Sequence, residues 1–439
     1  MITNDNKNLA QWAMEYALKN GCQAAKLVLY TNSNSSFELR DGKMDRLQQA
    51  SENGLGLNLY VDGRFGSFST NRLDKKELET LIRSGVESTR YLAVDESRIL
   101  ADPERYYKGD KPDLQLFDKK LYEANPDDKV EIARAAAEEV LGKDERVISV
   151  DSSYSDGEGS SYRLISNGFE GESKSTWFSV STSVSIKGEG EARPQDYWYD
   201  SALFYDKLTK AGIGSKALER VLRKLGQKKA KSGKYTMVVD PMNTGRLLGP
   251  MLNALYGSAL QQKTSFLLDK QEVQVASNLF TLRDEPHVIG ANGSRYFDNE
   301  GVATAPRAIF DAGVLKTYFI DTYNSKKMNM DPTISTPSRL ILKPGDKDLN
   351  GLVADVKQGI LVTGFNGGNS NSSTGDFSYG IEGFLIEDGK LTQSINEMNV
   401  TGNMLTLWNS LVAVGNDPQQ NRSWQIPSLV FEGVNFSGS

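Results

Sequence analysis

Sulfur and imidazole are nearly missing from this sequence: among 439 residues there is one cysteine, Cys22, and one histidine, His287. A single thiol excludes an internal disulfide, a CxxC redox pair and a thiolate-built structural zinc, and it suits a reducing, cytoplasmic setting. A Ser-His-Asp or Cys-His relay is possible only if His287 is its base. That residue follows Glu285-Pro286, a turn-like context in which a histidine is more often structural or merely exposed than catalytic. No HExxH-like spacing and no local His/Cys cluster occurs, so a self-sufficient zinc site is not expected.

Long apolar runs are missing too. The chain opens on the polar stretch MITNDNKNLA, and no run approaches the roughly 18 uninterrupted apolar residues of a membrane span, so neither signal peptide nor membrane association is expected. Positive charge is not in excess: 51 Lys/Arg against 57 Asp/Glu leave a net charge of −6, which argues against direct binding to nucleic acid. The densest basic segment, residues 220–234, reads as the solvated face and end of a surface helix, or as a docking patch. Gly54-Leu55-Gly56 and the glycines of residues 364–368 lack the GxxxxGK[ST] lysine and a clear strand-to-helix setting, so phosphate-loop chemistry has little support.

What the sequence does contain is an α+β pattern. The chain is longer than a single core usually supports, and two domains are expected, residues 1–230 and 231–439, divided at the charged, glycine-bracketed stretch before Tyr235. In the first, Leu9, Trp12, Ala13, Tyr16 and Ala17 repeat at helical spacing, and Gly21 stands where a left-handed cap belongs. Strands follow at residues 25–30, 36–40, 54–61 and 64–70, with hairpin turns at Asp41-Gly42 and Asp62-Gly63. Asp74 and Glu77 then open a second helix. The order appears twice. A helix over 128–141, strands over 147–154, 161–166 and 176–186, an Asn167-Gly168 turn and a helix over 215–225 repeat it at nearly constant offset, the mark of an internal duplication.

The second domain is β-rich and glycine-punctuated, with strands expected at 235–239, 314–320, 340–342 and 384–386, which suggests a curved or barrel-like sheet. Residues 365–376, FNGGNSNSSTGD, form the most biased segment, either a flexible loop or a binding loop. Asp376, Glu382, Glu387 and Asp388 are close enough in sequence to raise a two-carboxylate or magnesium site, although acids at hairpin ends are commonly solvated turn residues.

Ordered blocks in this half carry a resemblance to a known family. They are TSFLLD at 264–269, FDNEGV at 297–302 with Thr304, DAGVL at 311–315 with Tyr318, GILVT at 359–363, TGDFSYG at 374–380, GFLIE at 383–387, VAVGND at 412–417, IPSL at 426–429 and Glu432-Gly433. In this order they resemble the TldD/PmbA family, long labelled modulators of DNA gyrase and associated with a TldD–TldE metalloprotease. The first half matches in layout only. In that family the catalytic subunit carries HExxxH on a helix after a Val-Val strand, and a late cysteine completes its zinc site. Alignment through the Gly-x-Leu-Leu lead-in at Gly245 places Gly249 and Ala254 at the histidine positions and Pro250 at the glutamate base, and no cysteine stands near Val414-Gly415-Asn416.

The resemblance therefore implies the PmbA/TldE-like branch, a noncatalytic subunit pairing as a heterodimer with a TldD-like zinc peptidase that processes small unfolded peptides. Zinc is expected only in that partner, and no catalytic residue is named in this chain. Asn366, Gly367, Gly368, Thr374 and Asp376 are the peptide-groove candidates. Two alternatives stay open: a stand-alone homodimeric peptide-binding protein, and a carboxylate-only hydrolase.

Overall fold

A computed structural model of the chain describes residues 2–438. The first helix, α1 (Asn4–Lys19), starts five residues before the apolar stripe does. The reason is a cap: the Thr3 hydroxyl accepts from the Asn6 amide at 3.2 Å, and the Asn6 side chain accepts from the Thr3 amide. Capping satisfies orphan N–H groups and extends the helix into polar sequence. Strands β1 (Ala24–Arg40), β2 (Lys43–Val61) and β3 (Arg64–Thr70) follow, then α2 (Lys75–Thr89), capped by Asp74, whose carboxylate accepts from the Glu77 amide at 3.0 Å. Both Asp-Gly turns have positive φ at each residue, as a type I′ hairpin requires.

The same five elements recur as α3 (Pro126–Glu138), β4 (Val147–Ile165), β5 (Phe169–Ile186), β6 (Gln195–Ala202) and α4 (Ile213–Leu222). The six strands form one sheet in the order β3-β2-β1-β4-β5-β6, so the two copies meet back to back through the antiparallel β1–β4 pair. Each copy buries its own helices. Ala13, Ala17, Leu27, Leu57 and Ile82 form one core, and Ala133, Ala136, Tyr154, Phe178 and Val180 form the other.

The strands differ from the sequence expectation in length. The stretches expected at 25–30 and 36–40 are one strand, as are those at 147–154 and 161–166, and β6 gave no expectation at all. Residues 31–35 and 155–160 are Thr, Ser, Asn, Gly and acids, which carry no hydrophobic period. They stay extended because their backbones are paired with each other across the sheet, Ser33 opposite Glu158. Beneath them lies a buried ion pair: Lys129 on α3 reaches Asp156 at 2.6 Å, and Asp156 also accepts from Ser35 at 2.5 Å and Tyr154 at 3.1 Å.

The second half contains β7 (Gly233–Val239), α5 (Thr244–Asn253), α6 (Gly257–Gln261), β8 (Leu282–Asp284), β9 (Arg307–Asp311), β10 (Val314–Leu315), α7 (Thr322–Met328), β11 (Leu340–Leu342) and α8 (Leu349–Ala354). After them come β12 (Gln358–Ser370), β13 (Asp376–Glu387), β14 (Lys390–Asn403), α9 (Met404–Asn409), β15 (Leu411–Val414), β16 (Trp424–Gln425) and β17 (Leu429–Ser437). Five of these strands close on themselves in the cycle β7-β12-β13-β14-β17, with β14 pairing β17 at Asn399–Ser437 and β17 returning to β7. Closure leaves no free edge within the ring. Met237, Val239, Ile360, Ile381, Met398, Val400 and Phe431 lie in its core, each at most 1% exposed.

A second sheet, β10-β9-β8-β11-β16, packs on the same core. The strand expected over 314–320 is paired only at Val314 and Leu315, because beyond them Lys316 turns back to bond the Ile309 carbonyl and Phe319 bridges to Tyr256.

The two halves meet through α4. Arg220 and Lys224, from the basic segment that reads as a solvated face or a docking patch, are instead buried within the chain, with side chains only 14% and 12% exposed. Arg220 faces Asp196 at 3.4 Å and Asp240 at 3.7 Å, while Lys224 bonds Asp196 at 3.3 Å and Glu382 on the barrel at 2.7 Å.

Candidate functional site

Helix α5 follows β7 through Asp240, whose amide bonds the Val362 carbonyl of the neighbouring parallel strand. Leu247, Leu248, Met251 and Leu252 turn inward and are fully buried, which leaves Arg246, Gly249, Pro250 and Asn253 on the outer side. Pro250 has no N–H to give the carbonyl one turn back. A side chain at Gly249 would enter open space, since no atom lies within 4 Å of where its Cβ would stand. Ala254 is different. It caps the helix at 0% exposure, and its carbonyl accepts from the Ser265 hydroxyl at 2.6 Å.

Hydrogen, a pyrrolidine ring and a methyl group stand at the three positions, none of them able to donate a lone pair to a metal. Among the described residues no group of three or more His, Cys, Asp and Glu side chains is placed to hold an ion. These residues do not fit zinc.

The structure brings α5 together with the polar hairpin. Residues 365–376 are not one loop: β12 runs through Ser370, β13 starts at Asp376, and only five residues between them turn. Asn366, Gly367 and Gly368 lie exposed on β12 at a bulge where the pairing register slips between Asn366 and Asn369. Gly367 and Gly368 have φ of +74° and +83°, and a Cβ on Gly368 would overlap the Ser378 carbonyl, so glycine is required there.

Arg246 connects the two elements. It donates to the Gly368 carbonyl at 2.8 Å, and its guanidinium lies 4.5 Å from the centre of the Tyr379 ring. No sequence motif marks this residue beyond its place on the outer side of α5.

At the turn, Asn403 donates to Asp376 at 2.9 Å and Thr374 donates to it at 2.7 Å, and these two bonds hold the Asp376 carboxyl below its ordinary range, while Asn403 also donates to the Thr374 carbonyl. The Phe266 amide bonds the Ser372 carbonyl at 3.0 Å, and Gly375 packs on the Phe266 ring. Three sequence blocks, residues 245–254, 264–269 and 374–380, thus converge on one place. Turn and helix are held rigidly, and the exposed strand segment of β12 runs beside them.

The other candidates fall elsewhere. Asp376 and Glu382 are six residues apart on one strand, about 20 Å, well beyond the spacing of a carboxylate pair that shares one bond. Glu382 is occupied by Lys224, and Glu387 and Asp388 sit exposed at the β13–β14 turn. Cys22 is buried behind α1 and α2, and burial pushes its thiol up to about 11. His287 faces Thr304 at 2.9 Å. Because the Thr304 hydroxyl donates to the Arg295 carbonyl, it accepts from Nε2 and leaves Nδ1 toward Lys111 at 3.5 Å. Burial and Lys111 push the imidazole below its usual range, which makes it a neutral structural group. Gly301, Gly313 and Gly383 serve close packing: a Cβ on each would overlap the Phe169 ring, the Ala276 carbonyl and the Leu361 carbonyl.

Comparison with known proteins covers nearly the whole chain. Residues 25–89 match the profile of PmbA/TldA metallopeptidase domain 1, residues 119–225 that of the central domain and residues 232–438 that of the C-terminal domain. The Haemophilus influenzae metalloprotease PmbA homolog is 27% identical over 99% of this chain and 96% of its own length. Metalloprotease PmbA of Escherichia coli O157:H7 is 26% identical over 94% of this chain and 92% of its own. Among solved structures, a candidate modulator of DNA gyrase from Bacteroides thetaiotaomicron superposes with a TM-score of 0.98 at 72% identity, covering 100% of both chains. TldE from Thermococcus kodakarensis shares the fold at a TM-score of 0.83 and 20% identity, over 98% of this chain and 99% of that one. The chain belongs to the TldD/PmbA metallopeptidase family.

Proposed function

We propose that this chain is a noncatalytic, PmbA/TldE-like subunit of the cytoplasm, and that a TldD-like zinc peptidase supplies the metal and the base. The observation that carries the reading is the outer side of α5, where Gly249 leaves open space and Pro250 presents only a ring at the places the family resemblance assigns to a zinc ligand and a general base. What remains beside that helix is a surface suited to extended peptides. Exposed strand residues 366–370 offer backbone groups, Thr374 and Asp376 offer polar ones, and main-chain pairing reads an unfolded segment without demanding a particular sequence. In this reading the subunit holds peptide while its partner cuts.

The test is co-expression with a paralogue from the same organism that carries HExxxH, followed by size-exclusion chromatography and a peptide-cleavage assay. A stable complex whose cleavage rate differs from that of the paralogue alone is the expected result. No complex and no change in cleavage would remove the proposal, and a homodimer that binds peptide while refusing the paralogue would favour a stand-alone peptide-binding protein.

A further inference from the structure

We propose that a cleft at the junction of the two halves, remote from α5 and its hairpin, binds a small anion whose phosphate or carboxylate is carried on a flat ring. The cleft measures about 500 Å³, and none of the residues lining it belongs to α5, β12 or β13. That volume lies within the range of small-molecule sites. Its walls come from β4, β5, the connection over residues 107–116 and the loop over 294–299.

Two features define the ligand. The first is aromatic: Tyr107 stacks on Tyr296 with ring centres 5.1 Å apart and planes 18° apart, and on Phe297 at 6.1 Å. Such faces accept a further flat ring.

The second is charge. In a chain of net charge −6, the cleft gathers Lys111, Arg163, Lys174 and Arg295. Among the described residues none of the four has a carboxylate within 4.0 Å. The two lysines lie over aromatic faces instead, Lys111 at 5.4 Å from the Tyr296 ring centre and Lys174 at 5.3 Å from that of Phe117. Arg163 donates to the Asp298 carbonyl at 2.8 Å and weakly to Asn299, and its charge stands at the cleft wall. An anion in the cleft would sit in the field of these cations.

The acids nearby are already engaged. Glu172 takes Lys7 at 2.6 Å, and Asp113 takes the Gln115 amide at 3.0 Å. The Asp298 carboxylate, whose field reaches both arginines, accepts from the amides of Glu300, Val302 and Ser335. Arg295 is held in place by Ser338, Thr336 and Pro337 and contributes field more than direct bonds. Positive charge and a stacking wall therefore converge on one cavity.

The experiment uses the full chain and calorimetric titration with phenyl phosphate, phenylacetate, inorganic phosphate and benzyl alcohol. Phenyl phosphate or phenylacetate is expected to bind with a dissociation constant of about 0.1 to 1 mM, a scale set by ligands of about ten heavy atoms. The tighter of the two identifies the anion. Inorganic phosphate, which lacks the ring, and benzyl alcohol, which lacks the charge, should each bind at least about tenfold more weakly. Lys174→Met and Tyr296→Leu should each weaken the preferred ligand by about fivefold or more. Lys316→Met, a distant surface lysine paired with Glu272, should leave it unchanged. Failure of both ring-bearing anions to bind would overturn the proposal, as would inorganic phosphate binding equally well, or Lys174→Met and Tyr296→Leu binding like the parent with unchanged circular dichroism.

Discussion

Replacing Asp240 by asparagine should make the chain's stability less dependent on pH, by an amount the structure sets. Asp240 is 4% exposed at the junction of β7 and α5, and burial pushes its carboxyl from 3.8 up to about 6, against the opposing pull of Asn243 and Arg220. Between those two values the folded chain keeps a proton that the unfolded chain has released, so folding is favoured at low pH and stability falls as pH rises toward 6. A shift of about two units corresponds to about 3 kcal/mol in full, of which about 2 kcal/mol lies between about pH 4.5 and 7.5.

Asparagine keeps the shape and an acceptor for the Asn243 amide at 2.7 Å, while Arg220 retains Asp196 at 3.4 Å. Other titrating groups are common to both proteins and cancel in the comparison. Urea titrations followed by tryptophan fluorescence at the two pH values should show the parent losing about 0.5 M in midpoint relative to Asp240→Asn on going to the higher pH, since a chain of this size has a steep denaturant slope. Midpoints that move in parallel in both proteins would refute the reasoning, because Asp240 would then titrate alike folded and unfolded.

Other outcomes follow from single contacts. Asp156→Ala strands Lys129 beneath the first sheet and should cost about 3 to 5 kcal/mol, seen as a lowered melting temperature that Lys129→Met in the same chain partly restores. Gly383→Ala should cost about 3 kcal/mol because its methyl group would overlap the Leu361 carbonyl inside the barrel, and a melting temperature equal to the parent's would contradict that packing. Arg246→Ala removes the bond to the Gly368 carbonyl, so amide exchange over 366–370 should accelerate while exchange in β7 stays slow. Cys22, with its thiol pushed up to about 11, should react with iodoacetamide at least about a hundredfold more slowly in the native protein than in urea.

Much of the fold was legible because its signals are local. The helix stripe at Leu9 to Ala17, the two Asp-Gly turns and the Asp74 cap each act within a few residues, and each stands where the sequence placed it. The middles of β1 and β4 were not legible: their Ser, Asn and Gly residues carry no hydrophobic period, and they are extended only because a partner strand sits alongside. Barrel closure depends on Asn399 meeting Ser437, a pairing across β14 and β17 that no local pattern announces.

At the candidate site, the chemistry of Gly249, Pro250 and Ala254 could be read from residue type alone. The convergence of α5 with Phe266 and the hairpin could not, since it runs through backbone contacts and one arginine. The polarity of residues 365–376 suggests a loop, whereas most of that segment is strand, its outward side polar for want of any covering element. Arg220 and Lys224 were ambiguous for the opposite reason, since their partners Asp196, Asp240 and Glu382 lie on three other strands or loops.

The central claim is that the outer side of α5 has neither metal ligand nor base. Its most direct test is zinc analysis of the purified chain after incubation with zinc and removal of the excess, joined to a peptide-cleavage assay on the same sample. The account predicts far less than one zinc per chain and no cleavage until a zinc-bearing paralogue is added. One tightly held zinc per chain together with unaided cleavage would contradict it.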